Sequence, residues 1–210
     1  MSDLRNIFEL SAKLSKKKTI KILDLGSGDV SMKIKYLLTS NRNKFKYYPV
    51  DSKTECSFYR DELDYENQCT EKINKADWIK KINNSLRYDE GFEFKPIDEI
   101  EFNEMFNLNF NKDAIQFCNE ILYKVKFDVI LLSNMLHFLK REKADELFRM
   151  CTVMLSKNGL IQIVVLNDYQ TEYKRKNLYN EEDFNKLKTE FKIINEDNNS
   201  LHYEFLEKKK

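Results

Sequence analysis

The sequence predicts an open α/β fold with a largely parallel sheet, and three features of the chain support that prediction. Residues 20–25 form a short apolar run that ends at a turn with two glycines. A second apolar run over residues 45–50 ends in Asp51, and a third, over 127–132, is apolar without alternation. Central strands of parallel sheets are buried on both faces, so they read as continuous apolar runs.

The turn after the first run contains Gly26 and Gly28, two of only four glycines in the sequence. Glycine lacks a Cβ, so it adopts positive φ and lets a ligand approach the backbone. A strand, a Gly-x-Gly turn and a helix form a nucleotide-sized pocket in open α/β sheets. An acidic residue about 20 positions beyond such a turn binds ribose hydroxyls in dinucleotide-binding folds, and Asp51 stands near that distance. Together the two signals indicate an adenosine-containing ligand.

Charge around the turn distinguishes between the adenosine ligands. A pyrophosphate binds at the N-terminus of the first helix, where unpaired N–H groups and the helix dipole favour an anion. Asp24 and Asp29 stand there, and Ser31 replaces the last glycine of G-x-G-x-x-G. Two carboxylates repel a pyrophosphate, but they suit S-adenosylmethionine, which has a sulfonium cation, an ammonium group and no phosphate.

Four segments of the sequence resemble the class I S-adenosylmethionine-dependent methyltransferases. Residues 22–28 and 49–51 are similar to the first and second motifs of that family. Residues 127–139 resemble its fourth strand and the following loop. Residues 155–165 resemble the segment of the family that runs from the end of a helix, through a glycine, into the fifth strand. Val30 departs from the pattern, because the family usually has glycine there. The larger side chain narrows the room for the methionine portion of the cofactor.

The resemblance implies a three-layer Rossmann-like methyltransferase fold with helices on both faces of a mostly parallel seven-stranded sheet and an antiparallel C-terminal hairpin. It implies a single domain over residues 1–210, with S-adenosyl-L-methionine as the cofactor. The cofactor-binding residues expected from the motifs and the resemblance are Asp24, Gly26, Ser27, Gly28, Asp51, Asp113, Ser133 and Asn134.

Two of the candidate residues have alternative interpretations. In the family, a polar residue after the third strand meets the adenine amino group. The third strand is predicted here over residues 105–110, so the candidate for this contact is Asp113, and Asn111 is a second candidate. Asp113 also precedes a helical segment as an N-cap does, and the two roles are compatible. The imidazole of His137, after the fourth strand, is a candidate for accepting a proton from a substrate. The alternative is a half-buried histidine that closes a loop or contacts the cofactor.

The stretch over residues 54–103 is longer than ordinary β–α units require, and we interpret it as a charged insertion. It contains Trp78 and a predicted helix over residues 75–86, and three apolar residues allow a short extra strand: Phe94, Ile97 and Ile100. Loops over the ligand face often carry functional variation. The insertion therefore either shapes the acceptor site or serves as a surface elaboration or a contact for a protein partner.

Helical periodicity predicts further helices over residues 3–16, 32–38, 140–155 and 181–190. The first of them either covers the cofactor site or packs against the sheet. Gly159 is expected where the chain breaks away from the end of the helix over 140–155. Residues 191–195 and 201–206 read as a strand pair.

Length and composition limit the functional classes. The 210 residues suffice for one domain with a substantial core, and the net charge of +1 gives no overall field toward nucleic acid or membrane. The four cysteines lack CxxC spacing and there are two histidines, so we expect reduced thiols and no metal site. With no signal peptide and no membrane-length apolar run, we expect a cytoplasmic protein without a membrane partner.

The sequence therefore predicts a methyltransferase that acts mainly by holding a nucleophile in line with the methyl group. The acceptor is left open between a small molecule and RNA. The alternative is a catalytically inactive methyltransferase-like subunit that binds or regulates a partner protein, an interpretation motivated by Val30 and the insertion. Asp29 and Ser31 disfavour a third interpretation, an NAD-dependent oxidoreductase.

Overall fold

A sheet with β1 near its centre organises the computed structural model, which describes residues 19–27, 30, 33–34, 36–38, 45–52, 75–87, 96–110, 112–133, 135–136, 139–164, 191–197 and 202–208. The strands are β1 (Ile20–Leu25), β2 (Phe45–Asp51), β3 (Asn109–Phe110), β4 (Phe127–Ser133), β5 (Leu155–Val164), β6 (Phe191–Asp197) and β7 (His202–Lys208). Their order is β3-β2-β1-β4-β5-β7-β6.

The direction of pairing divides this sheet into two parts. Each neighbouring pair within β3-β2-β1-β4-β5 is parallel, so the all-parallel part has five strands. β7 pairs antiparallel with both β5 and β6, and these last two strands occupy the segments from which the sequence predicts a strand pair. The prediction of a Rossmann-like α/β fold around a parallel sheet is confirmed.

Alternate residues of β1 supply two separate cores. Leu23 and Leu25 pack in one core with buried residues of α3 (Ala114–Ile121) and α4 (Arg141–Met154). Ile20 and Ile22 pack in the other with buried residues of α1 (Lys75–Arg87) and α2 (Glu99–Met105), and with the helical residues 34, 37 and 38. Successive side chains of a strand point to opposite faces, so helices cover both faces of the sheet.

Helices α1 and α2 show how part of the predicted insertion is used. Trp78 and Ile82 of α1 and Phe102 of α2 are buried in the same core as Ile22. The Trp78 ring stacks on Phe110 of β3, with centroids 5.4 Å apart and planes 19° from parallel. The described part of the insertion is therefore packed onto the sheet, and its proposed role at the acceptor site stays a prediction.

The third strand is shorter than the sequence predicts. A strand over residues 105–110 is wrong at its start, because Met105 ends α2 and β3 contains only Asn109 and Phe110. A strand that includes Ile100 is also wrong, because Ile100 lies within α2. The reason is a capping box: Asp98 accepts a hydrogen bond from the Glu101 N–H, and the Glu101 carboxylate accepts one from the Asp98 N–H. This box stabilises a helix start just where the apolar spacing alone permits a strand.

Gly159 has a different role from the one predicted. It does not stand at the end of a helix, because α4 ends at Met154 and β5 begins at Leu155. Gly159 lies within β5, next to Asn158, whose φ is 64°. A Cβ on Gly159 would lie 2.8 Å from Leu155 Cδ1 and 3.0 Å from the Ser156 carbonyl oxygen. Close approach of the chain to itself at this irregular point of the strand therefore requires glycine.

Other predictions fall partly or wholly outside the described residues. The helix predicted over 140–155 corresponds to α4, and residues 33–34 and 36–38 are helical, as expected after the glycine turn. The helices predicted over 3–16 and 181–190 lie outside the described residues. Within the described ranges, no helix is long and apolar enough to cross a membrane.

Two cysteines, Cys118 of α3 and Cys151 of α4, are fully buried in one core with their thiols free. A hydrogen bond with Cys118, followed by burial, raises the pKa of Cys151 well above its ordinary value. The thiolate is the nucleophilic form of cysteine, so burial and a raised pKa both suppress reactivity.

We expect the buried thiols to resist alkylation in the folded protein. The variant Cys56→Ser/Cys69→Ser removes the other two cysteines, which lie outside the described residues. Treated with iodoacetamide at about pH 8, where an ordinary thiol is partly ionised, this variant should label only after denaturant is added. Mass spectrometry counts the labels, and rapid labelling of the folded protein would contradict the described packing of α3 on α4.

Candidate functional site

The turn after β1 lies directly against the end of β2. Gly26 has a φ of +67°, a left-handed conformation that side chains disfavour. The N–H groups of Gly26 and Ser27 both donate to the Val50 carbonyl oxygen, at 2.9 and 3.1 Å. These bonds fix the turn at the carboxyl ends of two parallel strands, where open α/β sheets bind ligands. Gly28, the second glycine of the motif, lies outside the described residues.

Asp51 is brought next to this turn, as the sequence predicts. It is the last residue of β2 and directly follows Val50, the residue to which the turn is hydrogen-bonded. On its other side it is paired with Phe110, the last residue of β3. Asp51 is half-buried, and its carbonyl oxygen accepts a hydrogen bond of 3.0 Å from the Lys112 N–H. One carboxylate thus lies between the glycine turn and the end of the third strand.

Asp113 caps a helix beyond β3. Its Oδ1 accepts hydrogen bonds from the N–H groups of Ile115 (2.9 Å) and Gln116 (3.0 Å) at the start of α3. The N-cap interpretation is therefore confirmed. Asp113 is exposed and is separated from β3 only by residues 111 and 112, so the adenine contact stays a prediction beside the cap. Asn111 lies outside the described residues.

Asp24 is fully buried at the carboxyl end of β1, and its charge is balanced. Its Oδ2 lies 2.6 Å from the Lys33 ammonium and also accepts a hydrogen bond from the Tyr47 hydroxyl. The Lys33 ammonium donates a second hydrogen bond, of 3.1 Å, to the Ser27 carbonyl oxygen. At Asp24 the site therefore holds a carboxylate and an ammonium together, whereas only carboxylates were expected there from the sequence.

Lys33 and Tyr47, which both contact Asp24, were not predicted as site residues from the sequence. The one available signal was the physical requirement that a buried carboxylate has charged or hydrogen-bonding partners. Tyr47 lies opposite Ile22 in the parallel register, so it shares the sheet face on which Asp24 lies. Which lysine turns toward Asp24 depends on how the following helix packs, and periodicity does not give that orientation.

Two polar atoms of the turn have no partner within the part of the chain that the structure describes. Asp24 Oδ1 and Ser27 Oγ are both buried and form no hydrogen bond. Asp128, a buried carboxylate on the neighbouring strand β4, contrasts with Asp24. The Asp128 Oδ2 accepts a hydrogen bond from the Lys21 N–H at 3.0 Å, and the Asp128 Oδ1 accepts one from the Ser156 hydroxyl at 2.7 Å. Buried polar atoms are costly when unpaired. The turn therefore has unused hydrogen-bonding capacity that a water or a ligand would satisfy.

Val30 is accommodated in the core beneath the turn. Its side chain is fully buried with Ile34 and Leu37, and its carbonyl oxygen accepts the Ile34 N–H at 2.8 Å, as at the start of a helix. The described geometry thus directs this side chain into the core.

The fourth strand ends at the same edge of the sheet. Ser133 is the last residue of β4, which pairs with β1 through Leu131 opposite Asp24. The side chain of Ser133 is not described, and Asn134 and His137 lie outside the described residues, so their roles stay predictions. Met135 reaches the glycine turn, since a Cβ on Gly26 would lie 3.0 Å from its Cγ. Among the described residues, no group of three His, Cys, Asp or Glu side chains could hold a metal ion.

Comparisons with known proteins identify the fold. No protein-family model matches the chain, and no curated protein matches it in sequence. TehB from Haemophilus influenzae superposes with a TM-score of 0.52 at 14% identity, over 96% of this chain and 62% of TehB. The CurJ carbon methyltransferase superposes with a TM-score of 0.52 at 15% identity, over 95% of this chain and 50% of CurJ.

A third structure is magnesium protoporphyrin IX methyltransferase (ChlM) from Synechocystis PCC 6803 with bound SAH. It superposes with a TM-score of 0.50 at 11% identity, over 97% of this chain and 81% of ChlM. The chain thus spans about 62% of the length of TehB and half that of CurJ. At these identities the likeness shows the fold, and that fold is the one of class I methyltransferases.

We expect Gly26→Ala to destabilise the protein by about 1–2 kcal/mol, the usual cost of a left-handed backbone for a residue with a Cβ. Urea unfolding measures the change. The double variant Gly26→Ala/Met135→Ala removes the Met135 Cγ and Sδ atoms that the new Cβ would contact, keeps the Met135 Cβ at 3.2 Å, and leaves the φ unchanged. Compared with Met135→Ala alone, it should still lose about 1 kcal/mol or more, and equal stability would contradict the positive φ.

Proposed function

We propose that the chain is an S-adenosylmethionine-dependent methyltransferase whose acceptor is a small molecule or an RNA. One observation carries the proposal: the glycine turn after β1, in which Gly26 has a positive φ, is hydrogen-bonded to Val50 and so lies beside Asp51. This combination suits an adenosine ligand, because a carboxylate accepts hydrogen bonds from two vicinal ribose hydroxyls.

The residues around the turn fit this cofactor. Asp51 would hold the ribose, and the backbone of Gly26 and Ser27 would face the methionine portion. The unpaired Asp24 Oδ1 and Ser27 Oγ offer hydrogen-bonding capacity at the same turn. Asp113, which follows the third strand after residues 111 and 112, would meet the adenine. When bound, S-adenosylmethionine supplies an activated methyl group with a good leaving group.

The chain itself has little chemistry to perform in such a reaction. Its residues bind the cofactor, orient the acceptor and exclude water, and proximity and orientation account for much of the barrier reduction. A base is needed only where the acceptor is protonated at the working pH. His137 is our candidate for that base.

Titration calorimetry with S-adenosylmethionine, S-adenosylhomocysteine and NAD tests the proposal. We expect both sulfur ligands to bind and NAD not to bind. Absence of binding by both sulfur ligands would refute the proposal and favour an inactive methyltransferase-like subunit, and binding of NAD would favour an oxidoreductase. Incubation of candidate acceptors with the methyl-labelled cofactor then identifies the substrate class.

Asp51→Ala should weaken S-adenosylhomocysteine binding by about 1–3 kcal/mol, the scale of hydrogen bonds to a charged group. Calorimetry measures the change in affinity. Glu104→Ala, which removes an exposed carboxylate from α2, is the matched control and should bind as the unmodified chain does. If the two variants bind equally well, Asp51 does not hold the ribose.

Asp113 allows its two roles to be separated. Asp113→Ala should lower stability by about 1 kcal/mol through loss of the cap, whereas Asp113→Ser keeps a capping hydroxyl and should lower it less. Serine does not reach as far as aspartate, so a contact with the cofactor should be lost in both variants. Reduced S-adenosylhomocysteine affinity in a stable Asp113→Ser protein supports the adenine contact, and unchanged affinity leaves Asp113 as a cap alone.

A further inference from the structure

Asp24 and Lys33 form an ion pair beneath the glycine turn. Asp24 exposes none of its side chain and Lys33 exposes 19%, so solvent screens the pair only weakly. Burial of a lone carboxylate is costly, and the ammonium at 2.6 Å offsets part of that cost. Asp24 and Lys33 together therefore contribute no net charge to the site.

The same lysine links this charge to the turn. Its ammonium bridges Asp24 Oδ2 and the Ser27 carbonyl oxygen, so the cation that balances the Asp24 carboxylate is bound directly to the turn. Tyr47 donates to the same Oδ2 without changing the net charge. Lys33 thus supplies both a charge and a hydrogen bond at Asp24, whereas Tyr47 supplies a hydrogen bond alone, so the hydrogen bond of Tyr47 can be removed without altering the charge.

We propose, on the premise of the function above, that Lys33 determines how this site discriminates between the methyl donor and its product. The donor is a sulfonium cation, whereas the product is a neutral thioether with the same adenosine and amino-acid groups. An uncompensated Asp24 would attract the donor selectively, because a buried charge acts over a short distance at reduced dielectric. With Lys33 in place, Asp24 gives the donor no electrostatic advantage.

The proposal is tested by the ratio of two dissociation constants, S-adenosylhomocysteine over S-adenosylmethionine, measured by calorimetry at low salt. Lys33→Met leaves the carboxylate uncompensated, so the ratio should rise by about threefold or more. Asp24→Asn leaves the ammonium uncompensated, so the ratio should fall by about threefold or more. The double variant Lys33→Met/Asp24→Asn is neutral again, and its ratio should return to within about twofold of the unmodified chain.

Two controls preserve the charge. Lys33→Arg keeps the cation and Tyr47→Phe removes only a hydrogen bond, so both should leave the ratio unchanged even where both affinities fall. A merely structural role of Lys33 would weaken donor and product alike and would not produce shifts of opposite sign. Thermal unfolding identifies any variant that does not fold. If Lys33→Met does not fold, the ratios of dissociation constants for Asp24→Asn and for the neutral double variant decide the result.

The outcomes separate this proposal from the one on which it rests. If the unmodified chain binds neither ligand, the methyltransferase proposal fails and this inference fails with it. If both ligands bind and the ratio is the same in all folded variants, the methyltransferase proposal stands and the role of Lys33 is refuted.

Discussion

Burial of β1 on both faces and along both edges is the constraint on which the candidate site depends. β2 and β4 pair with it in parallel, and apolar side chains from two cores cover it. Its backbone groups are satisfied by these neighbours, and the chain leaves the sheet at the carboxyl end of β1. There it turns immediately at Gly26 and is fixed to the end of β2. The site thus arises where three parallel strands end together.

Within this apolar setting, two buried carboxylates are handled differently. Asp128 on β4 has hydrogen bonds on both oxygens, from β1 and from β5, and thus joins three strands. Asp24 on β1 has one oxygen paired and one without a partner among the described residues. Stability explains the presence of a buried carboxylate whose oxygens are both paired. A buried carboxylate with an unpaired oxygen, at the edge where open α/β sheets bind ligands, instead suggests a role in function. The difference singles out Asp24 and the turn after it.

The fold shared with TehB, CurJ and ChlM coexists with identities of 11–15%. Parallel strands require apolar side chains of suitable volume and tolerate many substitutions, so the scaffold persists while its sequence diverges. Two of these proteins are named for different chemistry, one for carbon methylation and one for magnesium protoporphyrin IX. The scaffold therefore does not fix the acceptor of a protein that carries it, because function depends on the side chains placed on the fold.

The sequence alone was sufficient for the parallel strands other than β3, for the glycine turn and for the position of Asp51, because continuous apolar runs and glycine are strong local signals. It also contained the capping box of Asp98 and Glu101, a local signal that apolar spacing obscured. By contrast, Gly159 is explained by contact with Leu155 and Ser156 inside an irregular strand, which local pattern does not reveal.

Only the tertiary structure decided how charge is arranged at the turn. Lys33 and Tyr47 reach Asp24 from a helix and from a neighbouring strand, and their side chains meet only after the helix has packed on the sheet. The sequence determined which residues stand at the ends of strands, because that follows from local pattern. The pairing of the Asp24 carboxylate with the Lys33 ammonium depends on how the helix packs on the sheet, because a buried charge needs a partner that packing brings to it.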